Sequence, residues 1–423
     1  MASSTRNNEN PRLDTLSIWM YVGLVLIGLI SIYSATSDVN QEFSFSFASI
    51  AGRQVMWIGG ALLIILTIAF ANVAIIDYFA FGFYAITILL NIAVLFLGKE
   101  VSGAKSWFGF GGVGIQPSEF AKVGTALAMA KFLGTYGVQF KGTKNILISL
   151  GIFILPMVII LAQNDTGSAL VFTAFVLVLY REGLPGYILV SALWMVILGV
   201  TTIILLAKSI TLLWVAGILA TITLFVVYFV KKNTQAIITV VVIGVISTAF
   251  SYSVSFAFNK ILKQYQRDRI ELILGLKEDR KGAGYNLEQS RIAVGAGQMS
   301  GRGFLEGTQT KMGFVPEQHT DFIFCTIAEE WGFIGVLLFF ALYFGLLLRI
   351  ANLAERQSTV FGRVLGYSVA SIIFIHVAIN IGMTIGLVPV IGIPLPFISF
   401  GGSSLWAFTL LLFTFLKVDE KRR

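Results

Sequence analysis

The residues best placed to do chemistry in this 423-residue sequence are charged groups that stand inside or against apolar runs. Asp321, in Glu317-Gln318-His319-Thr320-Asp321-Phe322-Ile323-Phe324, meets the start of a long hydrophobic stretch. A carboxylate partly withdrawn from water is able to accept a proton as a general base. A plainer role is equally open, because Thr320 and Asp321 both suit the N-cap of a following helix. A second set comprises Glu119 and Lys122, three residues apart in Gln116-Pro117-Ser118-Glu119-Phe120-Ala121-Lys122, and Asp165 in Gln163-Asn164-Asp165-Thr166-Gly167-Ser168. Glu119 and Lys122 share one helix face and can pair, either as structure or as a substrate or proton site. Asp165 either completes a three-member cluster with them or serves as a turn and helix-start signal.

Two further segments attract notice. Gly103-Ala104-Lys105-Ser106-Trp107-Phe108-Gly109-Phe110-Gly111-Gly112 is rich in glycine, and Trp107 reads either as an interfacial aromatic or as a platform for sugar or isoprenoid. Its glycines do not match a nucleotide-binding fingerprint. Leu387 to Phe397 holds three of the eight prolines, so a regular helix cannot run through it. Broken backbone near a membrane is tolerated where it is buried in protein or lines a cavity.

These groups must be positioned by membrane helices. The chain is 57% hydrophobic and 12% charged, against about a quarter charged in soluble domains, which excludes a soluble globular enzyme. One cysteine, Cys325, and two histidines, His319 and His376, exclude a disulfide framework and argue against a multi-histidine metal centre. Apolar runs long enough to cross about 30 Å of hydrocarbon recur near 16–34, 54–71, 74–97, 118–134, 145–162, 167–180, 187–207, 211–230, 236–258, 322–348, 364–387 and 401–417. The fold class is therefore all-α, a polytopic bundle of about twelve transmembrane helices with one large extracytoplasmic loop, near 259–320.

With the N-terminus cytoplasmic, the inner segments hold fifteen Lys and Arg, from Arg6 to Arg423, and the short outer connections only Arg53, Lys99, Lys105 and Lys208. The positive-inside rule then places both tails, 1–15 and 418–423, in the cytoplasm. The net charge of +8 is accounted for in this way, and no nucleic-acid partner is expected.

In order along the chain, Gly103 to Trp107, Gln116 to Lys122, Tyr265-Gln266-Arg267-Asp268-Arg269-Ile270, Gly282 to Asn286, Glu317 to Phe324, and Asn380-Ile381-Gly382-Met383 through Ser404 closely resemble the RodA branch of the SEDS family. These are bacterial enzymes of the cytoplasmic (inner) membrane that polymerise undecaprenyl-linked lipid II into peptidoglycan during cell elongation. The resemblance implies that Asp321 is the catalytic carboxylate of the His319-Thr320-Asp321-Phe322 motif. It implies that Trp107 is a required outer-loop tryptophan, that Glu119, Lys122 and Asp165 form an intramembrane cluster, and that Arg53 and Lys105 support the substrate. It also implies a class B penicillin-binding protein and elongation-complex membrane proteins as partners. The sequence departs from the family at Ser106, often arginine, at Asp279-Arg280-Lys281 and at Gln298. It also carries an extra helical pair near 208–258, with a tip at Lys231 to Gln235, beyond a ten-helix core.

The implied reaction is an inverting glycosyl transfer. Asp321 takes the proton of an acceptor hydroxyl while pyrophosphate leaves towards Arg267, Arg269 or Arg291, or towards a divalent cation such as Mg or Mn. The alternative is a lipid-linked precursor flippase or proton-coupled transporter using Glu119, Lys122 and Asp165.

Overall fold

The computed structural model describes residues 13–37, 49–101, 103–110, 113–135, 143–207, 211–230, 234–261, 264, 267–268, 271 and 283–420. Two compact units emerge, one of Met1–Leu184 with Asn286–Arg423 and one of Pro185–Tyr285.

The first unit is built from α1 (Thr15–Thr36), α2 (Ile50–Phe70), α3 (Val73–Tyr78), α4 (Ala80–Leu97), α5 (Pro117–Thr135), α6 (Thr143–Ala162), α7 (Thr166–Val171) and α8 (Ala174–Arg181). It resumes at Asn286, within α12 (Ala283–Ala296), and continues with α13 (Thr308–Lys311), α14 (Ile323–Glu355), α15 (Val360–Thr384) and α16 (Gly402–Glu420). Capping side chains mark several starts: Asp14 accepts from Ser17 N, Ser49 from Gly52 N and Thr359 from Gly362 N. Asp14 also receives Arg349, joining the start of α1 to α14.

The core lies around α15 and α16, which pack against α5, α14 and α2. Along the apolar window of α16, 83% of residues are buried inside the protein, against 17% for α2, whose outer face is left for lipid to cover. Gly28 lets α1 approach the 387–401 segment, because a Cβ there would lie 2.7 Å from Ile398 Cα.

The second unit holds α9 (Gly186–Ala207), α10 (Leu212–Val230) and α11 (Thr234–Phe256), followed by a π-helical turn at Ala257–Ile261. The described residues of 208–258 thus form two helices, α10 and α11, which pack on each other, and α9 packs on α11. Trp194 donates to Ser247 and Thr202 to Ser251, so hydroxyls of α11 face α9. Of the expected tip, Lys231 to Asn233 lie outside the described residues.

Among the described residues ten helices are long and apolar enough to cross a membrane. The other two expected spans differ in kind: Pro117–Thr135 carries the charges of α5, and Thr166–Arg181 is broken between α7 and α8. The third expected span is also divided, at Phe79 between α3 and α4.

Three features depart from expectation. The glycine-rich loop is a three-stranded antiparallel sheet, β1 (Lys99–Val101), β2 (Ala104–Phe110) and β3 (Val113–Ile115), in which Gly109 pairs with Gly114. The described part of the large loop is partly helical, through α12 and α13. Finally, α14 is interrupted at Gly332, where φ is 60°. The carbonyls of Glu329 and Glu330 accept instead from Arg302 N and Gly303 N at 3.0 Å, and Phe333 N and Ile334 N donate to Gln298 O and Met299 O. A Cβ on Gly297 would lie 1.9 Å from Ala328 O, so the inserted segment requires glycine there.

Candidate active site

Asp321 is half-buried in a turn that leads into α14. Phe322 occupies the N-cap of α14 and offers no side-chain capping bond, so Thr320 and Asp321 are not that cap. Thr320 Oγ1 turns back to Glu317, accepted by its backbone carbonyl and by Oε2 at 3.0 Å.

The turn is held from the 380–400 region. Three successive carbonyls each accept one bond: His319 O from Phe400 N at 3.0 Å, Thr320 O from Ser399 Oγ at 2.6 Å, and Asp321 O from Asn380 Nδ2 at 2.8 Å. Asn380 also donates to Ile393 O at 2.7 Å. Gly392 leaves room beside the carboxylate, since a Cβ there would lie 3.1 Å from Asp321 Oδ2. Phe397 adopts φ of 67°, uncommon for an aromatic residue, and is retained by burial against Tyr21 at 5.1 Å.

His319 and Arg53 flank the Phe400 ring, with centroid distances of 5.8 Å and 5.6 Å from the imidazole and the guanidinium carbon. Burial lowers the His319 pKa; Glu317 opposes the shift and Arg53 adds to it, which keeps the imidazole neutral at neutral pH. Arg53 Nε is buried without a hydrogen-bond partner, a donor left for an anion.

Glu119 and Lys122 form a fully buried pair at 2.8 Å on α5. Their third member is His376 on α15, whose Nε2 lies 2.8 Å from Lys122 Nζ. Its Nδ1 lies 3.1 Å from Pro394 O. Because a carbonyl only accepts, Nδ1 is assigned the proton and Nε2 accepts from the ammonium. Lys122 Nζ also lies 5.0 Å from the centre of the Phe408 ring. Asp165 does not complete this cluster by an ion pair. It caps α7, accepting from Ser168 N at 2.9 Å, and receives Gln116 Nε2 at 2.9 Å. The turn alternative read from Asp-Thr-Gly describes it, because its short side chain is spent on the backbone directly after it.

Trp107 is half-buried on β2 with its ring across Gly114. The sheet is fastened to α16 by Ser403 Oγ, which donates to Gly114 O and accepts from Gln116 N, each at 3.2 Å. Lys105 Nζ donates to Phe96 O at 3.1 Å, a cation at the C-terminal end of α4. Arg291 is exposed, its stem against Gly386. Arg267 belongs to the second unit and donates to Asn259 O, while Arg269 lies outside the described residues. Among the described residues no group of three or more His, Cys, Asp or Glu is placed to hold a metal ion.

The sequence reading missed His376, Ser399 and a second carboxylate pair. Glu329 accepts from Gln309 N, Thr310 N and two threonine hydroxyls, while Glu330 receives Ser34 and Leu305 N. A lone histidine in an apolar span was the available signal for the first of these.

The decisive comparison is with families. The FtsW/RodA/SpoVE model, described as cell cycle protein, matches residues 14–214 and 212–423. The chain belongs to the FtsW/RodA/SpoVE family. This FtsW/RodA/SpoVE chain is 33% identical to the peptidoglycan glycosyltransferase RodA of Treponema pallidum, over 93% of its own length and 94% of the relative's. It is 34% identical to the peptidoglycan glycosyltransferase MrdB of Escherichia coli K12, over 94% and 90%. Its fold matches a solved chain from a peptidoglycan synthase complex that coordinates polymerization and crosslinking, with a TM-score of 0.70, 25% identity and coverage of 97% and 98%. With ten helices among the described residues long and apolar enough to cross a membrane, this member of the family is a multi-pass membrane protein.

Proposed function

We propose that this FtsW/RodA/SpoVE chain is a peptidoglycan glycosyltransferase that polymerises lipid II into glycan strands at the outer face of the bacterial cytoplasmic membrane. Three hydrogen bonds that fix the His319-Thr320-Asp321 backbone carry the reading, because they hold the turn that bears the Asp321 carboxylate, whose Oδ2 lies against Gly392. Relatives named for this activity align over nearly the whole chain.

An acceptor sugar hydroxyl is a weak nucleophile. Asp321 takes its proton as it attacks the anomeric carbon, the bond to pyrophosphate breaks, and the configuration inverts. Proton transfer of this kind contributes about 10² to 10⁴ in rate. The leaving pyrophosphate needs cations, and Arg53 beside the catalytic turn supplies a free donor. Purified protein given labelled lipid II is expected to make linear glycan without crosslinks, because crosslinking belongs to a transpeptidase partner of the class B penicillin-binding type. Crosslinked product from this chain alone would remove the partner, and no polymer at all would remove the activity.

The active face is outside only if both termini are cytoplasmic. Cysteine placed at Asn233 is then labelled from the cytoplasmic side alone. Labelling from outside would invert the arrangement from α10 onward.

A further inference from the structure

We infer that His376 is a positioning residue that couples the buried Glu119–Lys122 pair to the Asp321 turn through one directional chain of hydrogen bonds. This rests on the proposed glycosyl transfer for its catalytic meaning, though not for its geometry. Lys122 Nζ donates to Glu119 Oε2 and to His376 Nε2. His376 Nδ1 donates to Pro394 O. The other side of that same peptide unit, Leu395 N, donates to Ser399 Oγ at 2.8 Å. Ser399 Oγ in turn donates to Thr320 O, in the residue before Asp321. Every donor and acceptor in this series points the same way, and each hydrogen bond polarises the next.

The chain runs through backbone that regular structure cannot support. Residues 390–401 contain no helix, and their peptide groups must find partners elsewhere. His376 is the side chain that supplies one from α15, and it is 1% exposed, so water does not replace it. Charge on Lys122 fixes which nitrogen of His376 accepts, hence which donates to Pro394. The ion pair thereby sets the placement of the Asp321 turn through this chain.

Two variants cut the chain at different points. Ser399→Ala removes the last link without touching the ion pair, and His376→Phe keeps a ring of similar size but loses both bonds. Each is expected to lower kcat for polymer formation about 10- to 100-fold, the scale of a small misplacement of a catalytic group, with KM held within about twofold. The double variant should be no worse than the more impaired single one, because both act on one series. Ser399→Thr, which retains the hydroxyl, should restore the rate. Hydrogen exchange provides a readout that needs no activity: His376→Phe should speed exchange of the Leu395 and Phe400 amides. Unchanged exchange there, a parental kcat in Ser399→Ala, or fully multiplicative effects would each overturn the coupling. A parent protein that makes no glycan would count against the proposed function instead, with exchange still deciding the coupling.

Discussion

Replacing Asp321 by asparagine is expected to leave a folded protein that binds lipid II and polymerises it at least about a hundredfold more slowly, the low end for loss of a general base. Asparagine keeps the shape and cannot take the proton. The backbone bonds from Asn380, Ser399 and Phe400 reach carbonyls rather than the Asp321 side chain, so the turn should survive the substitution. A capping role predicts only a small loss of stability and near-parental synthesis, and the N-cap is Phe322. Glycan synthesis by Asp321→Asn within a few-fold of the parent would take Asp321 out of the mechanism and reopen a transporter reading.

The second large effect is expected at Lys122. In Lys122→Met, Glu119 loses its only ion-pair partner among the described residues, and His376 loses the donor to Nε2. Removing one member of a buried pair costs about 3 to 5 kcal/mol, because the other charge is stranded without solvent. Asp165 keeps Ser168 and Gln116 and should be little affected. Thermal unfolding in detergent should therefore occur at clearly lower temperature, with polymerisation lost as well. Parental stability together with parental activity would mean that the pair is not buried in the native protein.

The helices were legible because membrane spans are written in composition, a signal that survives without knowledge of neighbours. One helix start was also readable from its local cap, at Asp165. What escaped depends on partners distant in sequence. The strands of the 99–115 sheet are short and glycine-rich, so they carry neither alternation nor apolar length. Asp321 was visible because it is a charge at the edge of hydrocarbon. Its support was not, since Ser399 and Asn380 act on main-chain carbonyls that have no signature in sequence. His376 sits 254 residues from Lys122, and only the packing of α15 on α5 joins them.

The interruption of α14 changes what counts as loop and what counts as span. Residues 298–303 carry the hydrogen-bonding duties that one turn of α14 gave up at Gly332, so they are structurally part of that helix although they precede it in sequence. Loop segments normally tolerate changes of length. Here a deletion between 297 and 303 is equivalent to a deletion inside the transmembrane helix itself. Variation in length can be absorbed only on either side of this inset, not within it.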